Sequence, residues 1–286
     1  MNAACPPLFD FRTARMRRLR ALSLGGDRFL DRAAIEGLTG RLAAVTRRFE
    51  QGLAIGECVP EALAPFAANW SSGDFDGKEI LNVEAGSFDL VVSIFSLQAI
   101  NDLPGALVQI RRALKPDGLF LGALFGGASL AELRDSFAHA EIQTLGGISP
   151  RVSPFADVRD LGGLLQRAGF ALAVADVERL TAHYGDFSNL ARDLRAHGLT
   201  NVLAERRKSF LRRGTLAAML AHYRAHHAAK GKLNATFEIV FLTGWSPHES
   251  QQKPLKPGSA KTLLAEVLGT VEHKAGEIAR GSAPRR

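Results

Sequence analysis

Three of the eight histidines, His222, His226 and His227, stand close together, and His222 and His226 are one helical turn apart. Imidazoles at that spacing are what a transition-metal site uses. No Cys, Asp or Glu stands beside them in the chain to complete a ligand set, so no metal site is expected. His248-Glu249 has half of the pattern of a zinc hydrolase, but the second histidine one turn away is missing, and the pair reads as a terminal turn. Cys58 comes just after a short apolar run ending in Gly56, where a nucleophile could be presented. No partner base can be nominated for it, and a small core residue is the plainer reading. Tyr184 and Tyr223 are the only tyrosines, and Tyr184 follows a predicted strand near a candidate substrate cover. Its hydroxyl could serve catalysis, or its ring could anchor that cover. Residue types alone assign no catalytic group.

The elements that must position such groups are clearest between residues 87 and 126. Phe88 to Leu97 is a near-continuous apolar run, as a strand covered on both faces requires. Asn101 or Asp102 then caps a helix with Pro104 in its first turn and a buried stripe of Leu103, Leu107, Ile110 and Leu114. Lys115-Pro-Asp-Gly118 turns the chain into a second buried strand, Leu119 to Phe125. A strand–helix–strand unit of this length implies a right-handed crossover and a parallel sheet. Upstream, residues 27–48 read as an amphipathic helix, residues 52–56 as a first strand and residues 59–68 as a short helix. Downstream, helices are expected at 128–140, 157–168, 187–197 and 201–227, with strands at 171–183 and 236–245 and a helix-forming stretch at 260–268 after a Pro/Gly/Ser/Lys-containing tail.

A chain of 286 residues with 46% apolar and 23% charged residues can bury a core without disulfides, and Cys5 and Cys58 are too few for a disulfide framework. No apolar run approaches the roughly 18 residues of a membrane-spanning helix. The net charge of +7 is uneven. Residues 12–20 carry five arginines and no acid, and residues 205–213 carry five cations against Glu205. Such runs form either solvated helix surface or a face for an acidic partner. The basic N-terminus has presequence-like composition, but Pro6-Pro7 interrupts an amphipathic helix. A bacterial cytoplasmic location is the expectation, with the mitochondrial matrix as the alternative.

Ser87-Phe-Asp-Leu-Val-Val-Ser93, Asn101-Asp-Leu-Pro104 and Ile110 to Gly118 resemble the fourth and fifth strands of class I S-adenosylmethionine (SAM) dependent methyltransferases. Pro7-Leu-Phe-Asp10 with its arginine run, and Gly244-Trp-Ser-Pro-His-Glu-Ser-Gln251, resemble the respiratory complex I assembly factor family. Mitochondrial members of that family are arginine hydroxylases, and the family is related to malonyl-carrier-protein O-methyltransferases. The resemblance implies a Rossmann-like α/β fold: a mostly parallel sheet, helices on both faces, an abbreviated second-strand region and a helical lid before the last strand. It divides the chain into a helical cap at 1–50, an α/β domain at 51–250 with a helical insertion at about 187–230, and a tail at 251–286.

The implied cofactor is SAM, and the implied partner is a protein, a complex I subunit in the assembly reading, with no nucleic acid and no membrane span. The implied cofactor residues are Gly56, Glu57, Asp76, Glu79 and Ser93. The family's glycine-rich loop is altered here. Gly56 survives, Ala54 stands where an acid belongs, and Cys58 and Pro60 replace later glycines. Only 20 positions separate Gly56 from Asp76, whereas a full helix–strand–helix–strand passage needs roughly 45. No ribose-binding acid can be assigned by position. Gln98 stands where relatives carry His, which removes a proton-shuttling option. Three functions follow: a family enzyme on a protein substrate, a non-catalytic assembly chaperone, or a methyltransferase on an acidic carrier protein.

Overall fold

The computed structural model describes residues 6–25, 27–56, 59–252 and 269–270. The chain divides into two compact units, Met1–Glu249 and Ser250–Arg286, and every element named below belongs to the first. Residues 260–268 lie outside the described residues.

The strands are β1 (Phe49–Ile55), β2 (Ala67–Gly73), β3 (Phe88–Ile94), β4 (Leu114–Phe125), β5 (Ala171–Tyr184), the two-residue β6 (Ala228–Ala229) and β7 (Lys232–Trp245). The helices are α1 (Phe11–Leu24), α2 (Phe29–Ala43), α3 (Leu103–Ala113), α4 (Ala131–Leu145), α5 (Val158–Arg167), α6 (Phe187–Ala196) and α7 (Arg213–His227). One mixed sheet runs in the order β2-β1-β3-β4-β7-β5, with β6 beside β7. β1 pairs in parallel with β2 and β3, and β3 with β4, whereas β7 runs antiparallel to both β4 and β5.

The continuous apolar runs follow from burial on both faces. Leu90 and Val92 of β3, Leu119 and Leu121 of β4, and Ile239 and Phe241 of β7 pack with Ala34, Leu38 and Leu42 of α2. The alternate residues Val91, Phe120, Leu124, Val240 and Leu242 pack with Leu107 and Ile110 of α3 and Leu161 and Leu165 of α5. Each fully buried leucine here is worth about 1.5–3 kcal/mol over exposure. Gly37 lets α2 lie directly on the Phe241 ring, a space a Cβ would occupy. A third cluster gathers Tyr184, Leu190, Leu194, Met219, Tyr223 and Phe237 under α4, α6 and α7.

The Phe-Asp pair opening β3 has a structural cause. Asp89 is buried, and its carboxylate accepts from Glu50 N–H at 3.0 Å and Gln51 N–H at 2.8 Å, tying β3 to the start of β1. Asp102 is the cap of α3, accepting from Gly105 N–H at 2.9 Å. Asp10, Asp157 and Asp186 cap α1, α5 and α6 in the same way.

Three expectations need revision. Residues 59–68 form a 3-10 helix only over Glu61–Phe66, and the chain passes directly into β2. A second strand is therefore present beside β1; the connecting helix is what has shrunk. Lys115-Pro-Asp-Gly118 is the irregular start of β4, with Asp117 in the left-handed region (φ 61°). The helix expected over 201–227 forms only from Arg213, because residues 202–206 pair instead with the segment entering α1, where Phe9 bridges Leu203 and Asp10 N–H donates to the Val202 carbonyl.

Candidate functional site

The parallel strands β1, β2 and β3 all end at one side of the sheet, and a crevice outside those carboxyl ends is the general ligand position in such folds. A cavity of about 680 Å³ occupies that place, roofed by α1 and bounded by the start of α2 and residues 197–202. Its volume is in the range of small-molecule sites.

Gly56 ends β1 at φ 108°, a conformation that strains any residue with a Cβ. Its N–H donates to the Gly73 carbonyl at 2.7 Å, closing the last β1–β2 bond. A Cβ at this position would enter the space held by the Arg18 guanidinium and the Ser96 hydroxyl. Arg18 reaches down from α1: its Nη2 donates to Ser96 Oγ at 3.1 Å, and its Nη1 lies 3.7 Å from Asp74 Oδ2. Ser96 in turn donates to the Ile55 carbonyl at 2.9 Å. One arginine thus spans the ends of β1, β2 and β3 directly over the glycine.

Phe95, just after β3, is left-handed at φ 49° and stacks on Phe125 with ring centroids 4.1 Å apart. Strain of this kind is held only where the surroundings over-determine it, here on the cavity wall. Trp70, Phe75 and Pro60 line the apolar side. Gln98 lines the cavity too, but its Oε1 accepts Phe125 N–H at 2.6 Å, so it braces the end of β4. His197, buried, donates from Nδ1 to the Asp193 carbonyl at 2.9 Å and turns Nε2 to Leu30 N–H.

The sequence-based cofactor residues separate on this map. Gly56 lines the cavity. Glu57 lies outside the described residues, as does Cys58. Asp76 does not line the cavity: its Oδ1 accepts Lys78 and Ile80 N–H groups, which hold its carboxyl below the ordinary range. Glu79, left-handed at φ 59°, spends both oxygens on Asn101 and Asp102, fixing the start of α3. Ser93 is buried within β3, on the face opposite Val92 and Ile94, and Ser96 takes the cavity position. Two acids line the crevice: Asp31 of α2, paired with Arg28 at 3.0 Å, and Asp74, immediately after β2. Asp74 was missed because β2 was not read as a strand; an acid directly following a strand beside β1 was the available signal. Tyr184 is buried in the third cluster, away from the cavity lining, where burial and Asp193 push its phenol up.

The two basic runs, far apart in sequence, meet. Arg17, Arg151, Arg206, Arg207 and Lys208 surround a second cleft of about 380 Å³. Arg17 hydrogen-bonds the Asn201 carbonyl, and burial, then repulsion from Arg206, lowers its pKa from the ordinary value. Arg206 pairs with Asp10 at 3.0 Å and Arg151 with Glu141 at 2.6 Å. Among the described residues, Arg17, Arg207 and Lys208 make no ion pair, so the cleft keeps a net positive potential.

A family described as a methyltransferase domain matches residues 30–174. The chain is 44% identical over 191 residues to the arginine-hydroxylase NDUFAF5, mitochondrial, of Danio rerio, a match covering 66% of this chain and 59% of that protein. It is 40% identical over 167 residues to the malonyl-[acyl-carrier protein] O-methyltransferase of Xylella fastidiosa, covering 58% of this chain and 55% of that one. The chain therefore spans a little over half the length of these relatives. The YcgJ protein of Bacillus subtilis superposes with a TM-score of 0.49 at 12% identity, covering 76% of this chain and 99% of that chain.

Proposed function

Because the chain belongs to the methyltransferase-domain family, we propose that its crevice binds S-adenosylmethionine and that it acts on a protein partner in respiratory complex I assembly. The observation that carries the cofactor reading is the Gly56 cradle. A glycine at positive φ closes β1, with Asp74 at the adjoining strand end and Arg18 across both. Gly56 leaves room for the Arg18 guanidinium at the strand ends, Asp74 offers carboxylate oxygens to ribose hydroxyls, and Arg18 offers that guanidinium to an amino-acid carboxylate. Trp70 and Phe75 supply apolar wall. These residues fit an adenosyl amino acid even though later glycines of the loop are replaced. When bound, SAM supplies an electrophilic methyl group. The chain's residues supply binding and orientation, and Gln98, committed to Phe125, braces the site.

Kinship with the zebrafish arginine-hydroxylase supports the assembly role, which in a bacterial chain belongs to the cytoplasm and in a mitochondrial one to the matrix. No helix among the described residues is long and apolar enough to cross a membrane. A second reading, an O-methyltransferase on an acidic carrier protein, draws on the basic cleft around Arg17, Arg207 and Lys208.

Calorimetric titration with SAM and S-adenosylhomocysteine tests the first claim. Saturable binding, weakened about tenfold or more by Gly56→Ala and by Asp74→Ala, is expected. Absence of heat and of thermal stabilisation up to millimolar ligand overturns it and leaves a non-catalytic assembly role. Salt-sensitive binding of an acyl carrier protein, lost in Arg207→Ala/Lys208→Ala, would favour the carrier reading instead.

A further inference from the structure

The geometry points to a divalent transition-metal site between α4 and α7, built from Asp135, His222 and His227 with His139 and His226 flanking. The sequence places no acid beside the histidines. The fold brings one from 92 positions away: Asp135 Oδ2 lies 2.7 Å from His227 Nε2 and 3.8 Å from His222 Nδ1. One donor atom from each of the three residues lies within 4.8 Å of the other two. In a tetrahedral site with bonds of about 2.0–2.1 Å the donors stand about 3.3 Å apart, so side-chain shifts of about 1 Å close the set.

The two helices are held so that this end must converge. Met219 and Tyr223 of α7 and Leu133 and Ala140 of α4 face the third cluster. At the other end of the pair, Thr144 Oγ1 and Thr215 Oγ1 share a hydrogen bond of 2.8 Å. That register sets Asp135 and His139, one turn apart on α4, against His222 and His226, one turn apart on α7. The His222 ring centroid lies 4.2 Å from that of His139 and 4.4 Å from that of His226. Four imidazoles thus cluster at this end: His222 and His227 reach the carboxylate, and His139 and His226 pack against the His222 ring. Among the described residues, the only other side chain hydrogen-bonded to this group is Ser136, 3.4 Å from His222 Nδ1.

Imidazole nitrogen with a single carboxylate suits Zn²⁺, Co²⁺, Ni²⁺ or Cu²⁺ and not Mg²⁺ or Ca²⁺, which demand oxygen-rich shells. His222 is largely buried while Asp135 is 57% exposed, so an ion enters from solvent and is seated against the helix pair. Bound there, it links α4 to α7 and fastens the helical cover to the rest of the fold.

The test uses the full chain without a histidine tag. Co²⁺ is titrated while visible d–d absorption is followed, and Zn²⁺ is then competed against a chromophoric chelator, with Mg²⁺ as control. One equivalent of Co²⁺ is expected to bind and to be displaced by Zn²⁺ but not by Mg²⁺. His222→Ala and Asp135→Ala should each weaken binding roughly tenfold or more. His183→Ala, whose imidazole pairs with Asn234 elsewhere, should leave it unchanged. Should either alanine variant lose its metal-free melting transition, Asp135→Asn and His227→Gln replace them under the same criterion. No d–d absorption, or affinity undiminished by loss of Asp135 and His222, overturns the site.

Discussion

The β3–α3–β4 unit and the β1–β2 segment sit side by side in one sheet but are built to different standards. In β3, six of seven residues are buried, and α3 lays Leu107 and Ile110 against one face while α2 covers the other. In β2, only Ala67 is buried, and a 3-10 helix stands in place of a full crossover helix. The first region is over-determined by packing. The second ends in an exposed edge strand that contributes Trp70 to the crevice, with Asp74 just beyond it. Stability and ligand contact are therefore separable, and substitutions should divide accordingly.

The sharpest contrast is Ile110→Ala, which removes a fully buried side chain from the first region and should cost about 2–5 kcal/mol in denaturant unfolding. Asp89→Ala comes next, since it strands the Glu50 and Gln51 N–H groups that join the two regions, at about 1–3 kcal/mol. Gly56→Ala should cost about 1–3 kcal/mol of stability through its positive φ and the displacement of Arg18 and Ser96, while lowering SAM affinity about tenfold, a split visible by pairing melts with calorimetry. Ser72→Ala, on exposed β2, should stay within about 0.5 kcal/mol of wild type. If it instead matches Ile110→Ala, the two regions are not built differently.

A smaller effect reports on α1, which roofs the crevice. The Thr13 hydroxyl and N–H, with Arg206 beyond them, lower the Asp10 pKa to about 2 from 3.8. The folded state then binds fewer protons than the unfolded one between these values. The stabilisation is complete above about pH 4 and is lost as pH falls through about 2. Urea midpoints at pH 3 and pH 6 should differ less for Asp10→Asn than for wild type, and an equal difference would exclude this role for Asp10.

The same division governed what could be read from the chain. β1, β3, α3, α5 and β7 were legible because apolar spacing and Asp caps are local properties. The Asp102 cap and the closure of α5 at Gly169 follow that logic. β2 was not legible, because Ala-Ala-Asn-Trp-Ser-Ser-Gly has no buried stripe to announce it. The acids that stand out in the sequence after Gly56 are therefore Asp76 and Glu79, which the structure uses for a turn and for the start of α3. His197 carried no signal in its own neighbourhood, and Arg18 stood out only as one of the five arginines of residues 12–20.

Taken alone, the sequence determined the alternating buried strands, the helices that cover them and the family pattern around Phe88 and Gly118. Tertiary structure alone decided which polar groups meet: Arg18 with Gly56 and Asp74, Arg17 with Arg206, and Asp135 with His222 and His227. The physical reason is range. Burial periodicity repeats within a few residues, whereas convergence of side chains depends on strand order and on how α1, α4 and α7 lie across the sheet.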